Sequence, residues 1–232
     1  MKIRQFRYSA DNLGYVLFGR TQALAIDGGA VEKIMTFTKK KGLSLKFVTN
    51  THGHPDHTAG TRELLDRSGA VYLDHRKVCQ EGGFELDQER IAVIHTPGHT
   101  DDSVSFFAGG ALITGDTLFN GTVGNCFSGD LYGFFCSIKA LLRFPGDTMV
   151  YAGHDYVKAS MAFARSVEPD NADIDGYLDR YDPHHVRSTL ADELRVNPYL
   201  RFNEAPLIDV LKGKGAAVIT EYDRWKGVMA LE

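Results

Sequence analysis

Residues 51–57 read Thr-His-Gly-His-Pro-Asp-His, which sets three imidazoles and a carboxylate within six positions. Gly53 and Pro55 disfavour a regular helix here, so the segment is expected to be a turn leaving the apolar run 46–49, and a turn can aim these side chains at one point. Metal binding accounts for such a composition. Neutral imidazole is the commonest protein ligand for metals, and Asp brings the compensating negative charge.

The same context recurs three times. The apolar run 91–94 leads into Thr96-Pro97-Gly98-His99, the run 111–114 into Gly115-Asp116, and the run 149–152 into Gly153-His154. Each places a His or Asp just past a strand and a glycine. Taken singly, each has an ordinary reading, because Gly-Asp and Gly-His pairs are turn chemistry and a His beside a strand is commonly structural. Taken with residues 52–57 they form one set: His52, His54, Asp56, His57, His99, Asp116 and His154. Seven ligands exceed what one tetrahedral ion can use, so two divalent ions sharing a carboxylate are expected, at the roughly 3.5–4 Å spacing of such pairs. His95, four positions from His99, is expected to point elsewhere; His75, His184 and His185 lack partners of ligand type at comparable positions and do not join the set.

With 43% hydrophobic and 24% charged residues in 232, the chain can bury an ordinary core. Asp and Glu (30) outnumber Lys and Arg (26) for a net charge of -4, so no basic field exists to hold a nucleic acid. No apolar run approaches the roughly 20 residues of a membrane span. Met1-Lys2-Ile3-Arg4 opens no continuous apolar stretch of the secretory kind. Cys79, Cys126 and Cys136 are odd in number and lack C-x-x-C spacing, so reduced thiols and a cytoplasmic address are expected.

Eight β-prone runs stand out, at 14–18, 23–26, 46–49, 70–73, 91–94, 103–107, 111–114 and 149–152. Helical spacing of Val31, Ile34, Met35 and Thr38 ends at Gly42, and a second helix is expected over 58–67 ahead of Gly69. Strands mixed with helices in this way predict a layered α/β architecture. After residue 156 the character changes: Val157, Met161, Ala164 and Val167 share a helical face, Thr189 and Asp192 form a capping box, Asn197-Pro198 stops that helix, and another begins near Pro206. The expected division is a catalytic domain over 1–155 and a small helical subdomain over 156–232.

On the Thr51–His57 run, Thr96-Pro97-Gly98-His99-Thr100, Gly115-Asp116-Thr117-Leu118-Phe119 and Gly153-His154-Asp155-Tyr156, the chain resembles the metallo-β-lactamase superfamily. Phe163-Ala164-Arg165, Val167-Glu168-Pro169, Ser188-Thr189-Leu190 and Asn197-Pro198 resemble the C-terminal domain of its glyoxalase II, or hydroxyacylglutathione hydrolase, branch. The resemblance implies an αββα sandwich with two metal ions in a cleft at one edge. It implies His52, His54 and His99 on one ion, Asp56, His57 and His154 on the other, and Asp116 bridging them. No Cys occupies a ligand position, unlike true metallo-β-lactamases, and an all-nitrogen-and-oxygen set suits zinc first, with iron or manganese as alternatives.

The implied activity is hydrolysis of a small-molecule acyl thioester, a bridging hydroxide attacking the carbonyl and Asp56 orienting it. The alternatives on this fold are a mononuclear iron dioxygenase acting on a persulfide, with two His and one Asp, and a lactone hydrolase. Tyr156 matches a substrate-contacting Tyr of the family. In the loop after Gly115–Phe119, however, Asn125 and Phe127 stand where the family carries Lys and Tyr, which predicts weak turnover of S-lactoylglutathione. Arg224 and Lys226 could stand in for the family's C-terminal basic pair, but read as solvated surface charge.

Overall fold

The computed structural model describes residues 1–231; Glu232, the last residue of the expected C-terminal subdomain, lies outside the described residues. Three antiparallel strands open the chain, β1 (Lys2–Tyr8), β2 (Asn12–Phe18) and β3 (Gln22–Ile26). Helix α1 (Val31–Lys41) carries the chain back so that β4 (Ser44–Thr49) runs parallel to β3. Two short helices, α2 (Pro55–Thr58) and α3 (Thr61–Ser68), precede β5 (Val71–Tyr72), which completes a five-stranded sheet in chain order.

Helix α4 (His75–Gln80) leads to an antiparallel meander of β6 (Gly83–Leu86), β7 (Glu89–His95), β8 (Val104–Ala108) and β9 (Ala111–Gly115). Helix α5 (Leu131–Leu141) then crosses to β10 (Met149–Ala152), parallel to β9. Helices α6 (Val157–Val167) and α7 (Asp173–Asp179) follow, and β11 (Ser188–Thr189) pairs with β10 as an edge of the second sheet. Helices α8 (Leu190–Val196), α9 (Ala205–Gly213) and α10 (Glu221–Met229) finish the chain.

Strand periodicity divides the core. Leu13, Tyr15 and Leu17 of β2 and Leu24 and Ile26 of β3 face Ile91, Val93, Phe106 and Ile113 of the second sheet, and Met161 and Ala164 of α6 close one side of that layer. The alternate residues Val16, Ala23 and Ala25 turn outward onto Val31, Ile34 and Leu64 of α1 and α3. On the far side, Leu112 and Val150 meet Phe134 and Ile138 of α5 and Leu207, Leu211, Trp225 and Val228 of the last helices. The result is the expected αββα layering with a helical C-terminal region, because a two-residue period sends successive side chains to opposite faces. Among the described residues no helix is long and apolar enough to cross a membrane.

Three strands escaped the pattern. β1 carries Lys2, Arg4 and Arg7 on an edge, so its polar side reaches solvent and its alternation is weak. β6 reads Gly-Phe-Glu-Leu and β11 Ser-Thr, so neither carries the apolar run that marks the other strands. The helix expected over 58–67 is instead two, broken at Ala59-Gly60. A side chain at Gly60 would stand 2.3 Å from the Gly28 carbonyl oxygen, so this turn can approach the end of β3 only as glycine. The 52–57 segment also differs from a plain turn: Pro55 opens α2 at its first position, where no amide donor is needed, and Asp56 and His57 ride on that helical turn.

Candidate metal centre

All seven sequence-predicted residues meet at one edge of the two sheets. His52 and His54 follow β4, Asp56 and His57 lie on α2, His99 follows β7, Asp116 follows β9 and His154 follows β10. His52 Nε2 lies 2.9 Å from His54 Nδ1, which lies 3.0 Å from His99 Nε2. His57 Nε2 and His154 Nε2 are 3.2 Å apart, and Asp56 Oδ2 is 3.3 Å from the latter. Asp116 stands between these groups, with Oδ1 3.3 Å from His57 and Oδ2 3.4 Å from both His99 and His154. Three overlapping trios, His52/His54/His99, His52/His57/Asp116 and Asp56/His57/His154, each have donor atoms within 4.8 Å of one another.

The outer nitrogen of each buried ring decides what the inner one offers. His99 Nδ1 is 3.0 Å from the Asn125 carbonyl, which can only accept, so Nδ1 carries the proton. His57 Nδ1 donates to Asp27 Oδ2 at 2.9 Å and His154 Nδ1 to Asp11 Oδ1 at 3.0 Å. The Thr51 hydroxyl donates to Asp27 at 2.7 Å and therefore accepts from His52 Nδ1 at 3.0 Å. Neutral imidazoles held this way present Nε2 lone pairs to a common centre. Lone pairs 3.2 Å apart repel unless a proton or a cation lies between them. Asp116 Oδ1 is buried and makes no hydrogen bond of acceptable geometry. These donors fit a cation, and their hard and borderline character suits a divalent metal.

The charges agree. Burial pushes His52 down to about 4 and lowers His99 as well. Burial also works against His57, but Asp27 and Asp116 outweigh it and hold the ring up at about 11. For Asp116 burial favours the acid, yet His154 and His57 hold it well below the usual carboxylate range. The buried carboxylates thus demand positive charge at this point, which a divalent ion would meet.

Several participants carry no sequence signal of the kind used above. Asp11 comes from the β1–β2 turn and Asn12 from the first position of β2; Asn12 Nδ2 donates to Asp56 Oδ2 at 2.9 Å. Tyr8 donates its hydroxyl proton to the Asp56 carbonyl at 3.1 Å. Asp27 had a signal, since it follows β3 as Asp116 follows β9, and its fully buried carboxylate also accepts from Thr51 N at 2.8 Å. His75 stands apart from the seven, and its carboxylate partner is Asp102 Oδ2 at 3.1 Å, supplied by the distant β7–β8 loop. His95 is exposed and lies 3.0 Å from the Asp101 carbonyl, apart from the seven.

Of the residues expected to touch substrate, Tyr156 stacks on His154 with centroids 5.2 Å apart. Phe127 sets its ring edgewise 5.2 Å from His99 and 5.8 Å from His54. Asn125 offers the centre its backbone carbonyl, while its residue is otherwise exposed. Arg224 is not simply solvated: it donates to Asn203 Oδ1 at 2.6 Å and to the Val218 carbonyl at 2.9 Å. Lys226 holds its ammonium 5.8 Å from the Tyr222 ring centroid.

A family model described as the metallo-beta-lactamase superfamily matches residues 13–81 and 74–154, and one described as hydroxyacylglutathione hydrolase C-terminus matches 155–229. The chain is similar to the hydroxyacylglutathione hydrolase of Chromohalobacter salexigens, 32% identical over 213 residues and 84% of each chain. It is similar to that of Idiomarina loihiensis, 33% identical over 204 residues, 82% of this chain and 81% of the relative. Among solved structures, ETHE1 from Myxococcus xanthus superposes with a TM-score of 0.68 at 23% identity, over 98% of this chain and all of that one, which speaks to the fold alone. With the site assembled from the same motifs, the chain belongs to the metallo-beta-lactamase superfamily and, within it, to the hydroxyacylglutathione hydrolase family.

Proposed function

We propose that the protein is a dinuclear metal-dependent hydrolase of an acyl thioester. The observation that carries this reading is the convergence of inward-facing imidazole nitrogens and two carboxylates at 2.9–3.4 Å, with each buried ring's outer nitrogen already hydrogen-bonded. His52, His54 and His99 would hold one ion, Asp56, His57 and His154 the other, and Asp116 would be shared. Divalent cations bound there, zinc first and iron or manganese as alternatives, supply Lewis acidity and make hydroxide available near neutral pH.

The chain's own part is positioning. Asn12 anchors one oxygen of Asp56, whose side chain is 47% exposed and so borders both the centre and the solvent from which water arrives. From that place Asp56 orients the nucleophile. Tyr156 and Phe127 flank the reacting carbonyl. In the net reaction the hydroxyl of water forms the new bond to the acyl carbon, the C–S bond breaks, and the sulfur takes the remaining proton. Three free thiols fit a reducing compartment, and we place the enzyme in the cytoplasm.

The test is metal content per chain measured alongside thioester turnover and oxygen uptake. About two ions and thiol release without oxygen consumption are expected. One iron per chain with oxygen uptake on glutathione persulfide would replace this reading by the dioxygenase alternative; turnover of lactones but not thioesters would replace it by the other.

Two variants probe its parts. Asp27→Asn retains one acceptor oxygen for the four donors Asn50 Nδ2, Thr51 N, Thr51 Oγ1 and His57 Nδ1, so its amide must face either Thr51 N–H or His57 Nδ1–H. Metal affinity is expected to fall about 10–100-fold in a chelator competition, and wild-type affinity would deny Asp27 this role. Cys126 lies in the loop beside His99, 3.6 Å from the Ser128 hydroxyl. Cys126→Ala is expected to keep both metal content and turnover, because the nucleophile is water; full metal with no chemistry would revive a covalent thiol mechanism.

A further inference from the structure

Phe127 is 66% exposed, yet its position is tightly set. Its own amide donates to the His99 carbonyl at 3.1 Å, the Ser128 amide and hydroxyl donate to the Gly98 carbonyl at 3.3 and 2.8 Å, and the Asn125 carbonyl accepts from His99 Nδ1 at 3.0 Å. The loop that carries the ring is thus fastened to the segment that carries His99. On the other side of the centre Tyr156, 38% exposed, lies parallel to His154 at an interplanar angle of 4° and edge-on to Phe119 at 5.2 Å. Two exposed aromatic rings therefore bracket the seven residues, one over the His54/His99 side and one over the His154 side.

The charged side chains bonded to the cluster's rings from outside it are acidic. Asp11 and Asp56 are the part-exposed charged side chains bonded to the cluster's rings. Among the described residues no Lys or Arg forms a hydrogen bond or ion pair with any of the seven. Arg7, carried by the strand beside this edge, is engaged with Asp155 and the Pro183 carbonyl. A phenyl ring left 66% exposed recovers little hydrophobic stabilisation on folding, whereas apolar area removed from water on binding is favourable.

Resting on the thioesterase reading, we infer that the preferred substrate carries an uncharged alkyl or aryl group next to its ester, and that this group seats on Phe127. The group can belong to the acyl part or to the thiol; either gives the same contact. Phe127 is then a specificity-determining residue that ranks substrates by the apolar character of that group.

The test compares kcat/KM of the metal-loaded protein, of measured metal content, on S-lactoylglutathione, the lactoyl thioester of benzyl mercaptan, and S-mandeloylglutathione. The benzyl ester or the mandeloyl ester is expected to lead the first by about tenfold or more, and Phe127→Ala to shrink that lead about tenfold. Which of the two leads identifies the end that sits on the ring. Equal efficiency on all three, or a lead that survives Phe127→Ala, would overturn the inference while leaving the thioesterase reading intact. If none of the three is hydrolysed the thioesterase reading fails. Calorimetric binding of benzyl mercaptan against glutathione then decides the apolar contact by itself: tighter benzyl mercaptan, weakened in Phe127→Ala, supports it, and equal or tighter glutathione overturns it.

Discussion

Asp116→Ala is expected to abolish turnover and to lower metal content from about two ions per chain to below one. Two dications about 4 Å apart repel by roughly 16 kcal/mol at an effective dielectric of about 20, four times the value for unit charges. A carboxylate shared between them attracts each, and so offsets much of that repulsion. Asp116 is suitably placed to be that carboxylate, because it is buried, it lies within 3.4 Å of His57, His99 and His154, and one of its oxygens has no protein donor. Removing it therefore affects both positions, whereas His154→Ala should chiefly weaken the second. Asp116→Asn, which keeps the shape and loses the charge, separates electrostatics from packing and should also fail. Elemental analysis of purified Asp116→Ala showing two tightly held ions would falsify the shared assignment.

Gly153→Ala is the smallest substitution with a large expected effect. A methyl there would stand 2.1 Å from Asp116 Oδ1 and 2.8 Å from His57 Cε1, distances no real contact reaches. Gly153 is bonded through its amide to the Gly115 carbonyl at 2.8 Å and through its own carbonyl to Leu13 N at 2.7 Å, so the backbone is held from both sheets. The displacement must fall on Asp116 and His57. A shift of about 1 Å at such groups costs on the order of 100-fold in rate, and metal content should drop with it. The backbone bonds survive, so circular dichroism and thermal unfolding should change far less than activity. A Gly153→Ala enzyme with wild-type rate and two ions would show that the close approach is relieved at no cost.

The ligand types were legible because they are local. His52, His54, Asp56 and His57 crowd one turn, and His99, Asp116 and His154 each follow an apolar run and a glycine, so strand ends announce themselves in one dimension. The layered α/β class was legible for the same reason: β2, β3, β9 and β10 are nearly continuous apolar runs, as strands covered on both faces are. An edge strand with one face toward solvent lacks such a run, and β1 with its Lys and Arg residues was invisible until its pairing with β2 was seen.

What only the tertiary structure decided is everything that needs two distant segments at once. Asp11 is an ordinary carboxylate in the sequence, and Asp27 announces no more than a strand end; they become the acceptors that orient His57 and His154 only when β3 and the β1–β2 turn are brought 30 and 143 residues back to those rings. The break at Gly60 is set by the backbone of Gly28, and the need for glycine at 153 by the carboxylate of Asp116. Local propensity and periodicity act over a turn or two of chain. Tautomers, lone-pair directions and close approaches are set by groups across the fold, and the seven residues named by their spacing acquire a common centre, and an exposed phenyl ring at its rim, only there.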